Sequence, residues 1–279
     1  MLGAIIGDIV GSPYEFHNIK TKDFPLFCER SCFTDDTILT CATADWLING
    51  GNPAKYLQKW GKMYANRTYE NGKVTPFGEG FTKWLETGQG YNSKTNGCIM
   101  RLSPIPLWFD DMNEAMQKAL ELTKITHNHP ESLTAVKAYI ETAYLLKNNT
   151  NAAIIKNVVA HKYGYNMQQS VDEIRPDYNK FYCSCKNSVP QAIICALEAK
   201  SYEDAIRNAV SLGGDSDTLA CMAGGLAQIK FPIPAEIIKN AEKYMDDNVK
   251  NILHNFSQKV SREQNVQKNF PHTTDEFIR

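Results

Sequence analysis

The sequence contains no stretch of 18 apolar residues, the length a helix needs to cross a bilayer, so no segment reads as a membrane span. It also lacks charge of either sign in excess: 30 Lys plus Arg stand against 31 Asp plus Glu, a net charge of −1. Without a global field, broad recruitment of nucleic acid or anionic lipid is disfavoured. No basic segment precedes the first apolar run, and Asp8 interrupts that run, so the opening residues do not read as a secretory signal. Eight cysteines occur without any CxxC pair; Cys28/Cys32 and Cys183/Cys185 have no convincing His partner, which disfavours structural zinc. Reduced thiols and a cytoplasmic location are the expectation. Strict polar/apolar alternation, the mark of half-buried strands, is missing as well.

What is present is helical periodicity. Leu133, Val136, Ile140, Ala143 and Tyr144 share one face of a segment opened by Pro130, and Ala115, Met116, Ala119 and Leu120 share another. Ala205, Ile206, Ala209 and Val210 repeat the pattern, and Ile238, Ala241, Met245, Val249 and Ile252 predict one longer helix near the C-terminus. Asn52-Pro53 reads as a cap followed by proline at the first helical position, and Ser188-Val-Pro-Gln191 reads as a capping box. The expected fold is all-α, a single compact multi-helix domain of about ten helices over residues 1–256. Residues 257–279 turn polar and read as a tail or a surface helix.

Two irregular stretches interrupt the helices, 64–106 and 163–187, and long loops in helical proteins commonly serve a site. Trp46, Trp60, Trp84 and Trp108 read as core. Gly3, Gly7 and Gly11, spaced i, i+4, i+8, predict a close helix–helix contact. Asp8 and Glu15, seven apart, share a helical face, either solvated or lining a cleft.

Two short acidic segments carry the chemistry. Phe33-Thr34-Asp35-Asp36-Thr37 and Gly213-Gly214-Asp215-Ser216-Asp217-Thr218 each precede an apolar helix. Capping needs one such residue, not two acids plus hydroxyls. If the segments meet, four carboxylates with hydroxyl oxygens and no His or Cys make a hard-oxygen site suited to Mg²⁺, Mn²⁺ or Ca²⁺. So many converging charges suggest two ions.

The ordered blocks GAIIGDIVGSPYEF, FTDDT, NGCIMRLSPI, THNHPES and GGDSDTLACMAGGLA resemble the ADP-ribosylglycohydrolase family from residue 3 to about 240. That family includes the glycohydrolase that reactivates dinitrogenase reductase and the ADP-ribosyl-acceptor hydrolases. The resemblance implies an all-α fold, a centre of two Mg²⁺ (or Mn²⁺) ions, and cleavage of the bond joining ADP-ribose to a modified acceptor, arginine-linked before others. It implies metal ligation by Thr34, Asp35, Asp36, Asp215, Asp217 and Thr218. Glu15, Asp35 and Asp36 would be catalytic, with Glu15 or Asp36 orienting or deprotonating the attacking water. Ser93, Asn96, Gly97 and His127 would bind ADP-ribose, with backbone N–H groups cradling phosphate. His129 reads as the cap before Pro130.

The implied partners are an ADP-ribosylated protein, nucleic acid or small molecule and the product ADP-ribose, with no membrane; a monomer is expected. Relatives often carry Phe-Gly where this chain has Lys94-Thr95, which suggests a contact from Lys94 to phosphate or acceptor. Cys98 is disfavoured as a nucleophile because no His partners it. The competing reading is a non-catalytic ADP-ribose binder or a structural relative, some lens crystallins sharing this fold; all six implied ligands being intact favours catalysis.

Overall fold

The computed structural model describes residues 1–68 and 75–269, without the side chains of 262–269. Fourteen α-helices follow in order: α1 Leu2–Gly11, α2 Asp35–Asn49, α3 Pro53–Tyr64, α4 Glu79–Thr87, α5 Ile105–Trp108, α6 Met112–Lys124 and α7 Pro130–Lys147. They continue with α8 Ala152–Tyr163, α9 Val171–Ile174, α10 Cys185–Glu198, α11 Tyr202–Leu212, α12 Ser216–Lys230, α13 Ala235–Ala241 and α14 Asp247–Asn269. Among the described residues there is no strand, only an isolated antiparallel bridge between Thr95 and Ser184. The fold is all-α, as the periodicity predicts.

The core is built around α1 and α12, which are buried almost all round and run antiparallel. The three glycines of α1 explain how close they come. A Cβ on Gly3 would meet the Gly224 carbonyl oxygen at 2.6 Å, one on Gly7 the Ala220 oxygen at 2.1 Å, and one on Gly11 the Asp217 Cα at 2.5 Å. Backbone therefore packs on backbone, and the C-terminal end of α1 is delivered to the N-terminal end of α12. The eight cysteines are all unbridged. Trp46, Trp60 and Trp84 are buried; Trp108 is only partly so, lying against Phe256.

Some local expectations need correction. Residues 64–106 are not one irregular stretch, because Phe81, Trp84 and Leu85 form the buried face of α4. The helix near 190 begins a turn before the box at Ser188: Ser184 is its N-cap, and Ser188 Oγ donates back to the Ser184 carbonyl. Its entry is fixed by the Thr95–Ser184 bridge, and Pro190 lies inside the helix. The periodic positions from Ile238 to Ile252 span two helices, since Met245 is extended and Asp246 accepts from Val249 N–H and starts α14. Asn52 and His129 cap as expected, each accepting from the backbone N–H two residues on. Helix α14 runs across the expected boundary at 256/257, and residues 270–279 lie outside the described residues, as do 69–74 of the first irregular stretch.

Candidate active site

The two acidic segments meet. Thr34 is the N-cap of α2, its hydroxyl accepting from Asp36 N–H, so capping accounts for Thr34 and leaves the acids unexplained. Asp215 occupies the N-cap of α12 without capping it; its Oδ2 instead accepts from Asn96 Nδ2 at 2.6 Å. Antiparallel packing of α1 on α12 adds two more carboxylates, Asp8 from inside α1 and Glu15 just beyond it. Asp8, Asp36 and Asp217 form one triplet and Glu15, Asp215 and Asp217 a second, each with oxygens within 4.8 Å of one another. Asp217 belongs to both.

Asp8 is the residue that sequence reasoning undervalued. It is fully buried and accepts from the N–H and hydroxyl of both Thr34 and Thr37, so it clamps the start of α2 onto α1. Nothing in the spacing to Glu15 reveals this; the signal was a lone acid amid glycines and isoleucines. Thr218 donates to Asp36 Oδ2 at 3.2 Å, while Asp36 Oδ1 is buried with no hydrogen-bond partner among the described residues. Asp35 lines the same cavity, half-buried, outside both triplets.

Burial sets the electrostatics. Desolvation pushes Asp36 well above the usual carboxylate range, reinforced by the charges of Asp8, Asp35 and Asp215. Asp217 rises likewise through burial, then through Glu15, Asp215, Asp36 and Asp8. Burial raises Asp8 and Asp215 too, against the hydrogen bonds from Thr37 and Thr34 and from Asn96. Oxygen-only donors, an orphaned Asp36 oxygen and mutually repelling buried acids fit divalent hard cations, which neutralise charge without protons.

A pH dependence follows. A carboxyl raised in the folded state holds a proton that the unfolded chain releases above about pH 4, so the metal-free protein loses stability as pH rises from there. The expected result is that Mg²⁺ raises the melting temperature more at pH 8 than at pH 5. Buried His127, lowered by desolvation and Arg101, has the opposite sign but contributes with and without Mg²⁺, so the difference isolates the acids. Equal shifts at both pH values would contradict the acidic cluster as the cation site.

The acids open into a cavity of about 1200 Å³, larger than the ~300–1,000 Å³ typical of small-molecule sites. One wall carries the residues that the resemblance assigns to ADP-ribose. Ser93, Asn96, Gly97 and His127 all line it. His127 Nε2 lies 3.1 Å from Thr95 Oγ1, which lies 2.9 Å from Ser93 Oγ, and Tyr91 packs on the imidazole. The N–H groups of Ser93 and Asn96 are committed to the carbonyls of Tyr91 and Thr126 and of Cys183, so these two residues do not contribute N–H donors to the expected cradle.

Lys94 is exposed and outside the lining, between Ser93 and Thr95, which both line the cavity. Cys98 is fully buried beside Cys185, 3.8 Å between sulfurs, and does not line the cavity either. Arg101 was overlooked. It is fully buried at the cavity wall, Nη2 donating to Thr126 Oγ1, while Nε and Nη1 have no hydrogen-bond partner among the described residues.

Comparison with known proteins bears on this geometry. A solved ADP-ribosylglycohydrolase-related protein complex superposes with a TM-score of 0.67 over 94% of this chain and 96% of its own, at 18% identity, which establishes likeness of fold. The chain is 26% identical to the ADP-ribosylarginine hydrolase Tri1 of Pseudomonas putida (strain GB-1), over 81% of this chain and 68% of that one. It is 25% identical to a putative ADP-ribosyl glycohydrolase of Acanthamoeba polyphaga mimivirus, over 81% and 84%. With the family model for ADP-ribosylglycohydrolase matching residues 1–265, this chain belongs to the ADP-ribosylglycohydrolase family.

Proposed function

We propose that the protein is a hydrolase dependent on two Mg²⁺ or Mn²⁺ ions that removes ADP-ribose from a modified arginine. The observation that carries this reading is the pair of carboxylate triplets, buried except for half-buried Glu15, that share Asp217 at the floor of a cavity large enough for a dinucleotide-sized ligand. The similarity to an ADP-ribosylarginine hydrolase supports arginine as acceptor.

Asp36, Asp215 and Asp217, with Thr34, Thr218 and Asp8, would hold the cations, and Asp35 would add negative charge beside them. Divalent cations bound there would hold the ribose hydroxyls and lower the pKa of a water. The protein's own part is electrostatic and positional. Cleaving the anomeric C–N bond builds oxocarbenium character on the ribose, which nearby carboxylates stabilise. Glu15, at the outer end of the second triplet, is placed to take the proton of the water that attacks the anomeric carbon. The arginine departs as a stable guanidine and needs little acid help. Asn96 holds Asp215 in position, and Ser93, Thr95 and His127 offer polar atoms to the diphosphate. The balanced reaction consumes one water and yields ADP-ribose and free arginine.

The test is release of ADP-ribose from an arginine-ADP-ribosylated protein with Mg²⁺, with Mn²⁺ and with EDTA. Release with either cation and its loss in EDTA is the expected result. Undiminished release in EDTA would reject the metal-dependent reading, and no release with either cation would reject arginine as acceptor.

A further inference from the structure

Two of the four exposed large hydrophobic side chains among the described residues stand together at the cavity mouth. Phe16 is 60% exposed and Phe181 49%. Their rings lie within 4° of parallel, centroids 6.0 Å apart, and both line the cavity. Single exposed hydrophobics need no explanation, but two parallel rings beside the acidic floor of a cavity offer a planar surface to whatever enters it.

Its position is set by the acidic floor. Phe16 directly follows Glu15. Phe181 extends from a segment packed on Gly214, where a Cβ would meet the Tyr178 ring at 2.9 Å and the Lys180 carbonyl oxygen at 3.0 Å, and Gly214 precedes Asp215. Gly214 has φ +69, the left-handed region glycine favours, and its N–H donates to Asn18 Oδ1 while its carbonyl accepts from Asn18 Nδ2. The chain after Glu15 and the chain before Asp215 are thus tied together, which sets the two rings parallel to each other beside the Glu15–Asp215–Asp217 triplet.

We propose that Phe16 and Phe181 form a stacking shelf for the guanidinium of the arginine acceptor and so select the acceptor class. The proposal rests on the arginine-linked reading above. A guanidinium is planar, delocalised and weakly hydrated, and it stacks on aromatic faces. A ribosylated guanidinium keeps those properties, and the Glu15 carboxylate next in sequence to Phe16 favours a cation over a neutral planar group. The shelf gives a planar guanidinium a stacking surface that a short aliphatic acceptor cannot use.

The test uses the full-length protein with its cation, as wild type, as the double variant Phe16→Ala/Phe181→Ala, and as Phe16→Tyr/Phe181→Tyr. Two quantities are measured: kcat/KM on an arginine-ADP-ribosylated peptide, and the inhibition constant of free ADP-ribose. Both side chains are exposed, so folding is checked by an unchanged melting temperature. The alanine variant is expected to lose roughly tenfold in kcat/KM, mainly through KM, with ADP-ribose inhibition moved less than twofold, and the tyrosine variant to keep most of its rate. Parallel loss of ADP-ribose inhibition would overturn the proposal, because the rings would then hold the nucleobase. Unchanged kcat/KM would overturn it too. A wild type inactive on the arginine-linked peptide overturns the arginine-linked reading first, whereas an active wild type with indifferent variants overturns the shelf alone.

Discussion

Replacing Asp36 by Asn is expected to lower kcat at least a thousandfold, about 4 kcal/mol of transition-state stabilisation, while leaving the metal-free fold as stable as wild type or more so. The two halves of that expectation have one cause. Asp36 is 1% exposed, and burial together with the neighbouring acids opposes its ionisation, so its charge is a cost to the metal-free fold. An amide keeps the size and can still accept from Thr218, which now donates to Oδ2. What it removes is the negative charge and the donor strength of the orphaned Oδ1. If that charge exists to hold a cation, its loss removes both turnover and the Mg²⁺-induced rise in melting temperature. Steady-state release of ADP-ribose and thermal melts with Mg²⁺ and with EDTA read the two halves separately. Turnover above a hundredth of wild type would show that Asp36 is not part of the cation site.

The acidic cluster was largely legible in one dimension because four of its carboxylates stand at two helix starts. FTDDT and GGDSDT announce themselves by carrying more acid than capping uses, and the structure confirms the excess: Thr34 caps α2, while Asp215 caps nothing and is bonded to Asn96. Asp8 was illegible for the converse reason. It works across a tertiary contact, accepting from Thr34 and Thr37 twenty-six and twenty-nine residues away, and no local spacing encodes that docking. Phe16 and Phe181 share the limitation, since 165 positions separate two parallel rings whose centroids lie 6.0 Å apart. Helix α4 was obscured by the Gly-rich chain around it, although Phe81, Trp84 and Leu85 carry helical spacing. The break between α13 and α14 was hidden because buried positions kept their period through an extended residue, Met245.

The glycine spacing of α1 was the one long-range feature readable in advance, and it carries the largest expected effect on stability. Gly7→Ala is expected to destabilise the protein by about 4 kcal/mol, at the upper end for point substitutions and a large fraction of a typical total of about 5–15 kcal/mol. The added Cβ would lie 2.1 Å from the Ala220 carbonyl oxygen, 2.5 Å from its carbon and 2.8 Å from Cys221 N. All three are backbone atoms of a buried helix, so no side chain can rotate away, and α1 must lift off α12. That lift also separates Asp8, the next residue, from Asp217, so the surviving folded fraction should bind Mg²⁺ more weakly although no acid has been touched. Gly78→Ala is the control. Its Cβ would enter open space at φ −66, and only the modest preference against Ala at a helix N-cap, within about 1 kcal/mol, opposes it. Urea unfolding followed by circular dichroism measures both variants. A Gly7→Ala midpoint close to that of Gly78→Ala would mean that α1 and α12 can separate freely, and that their contact does not hold the acidic cluster together.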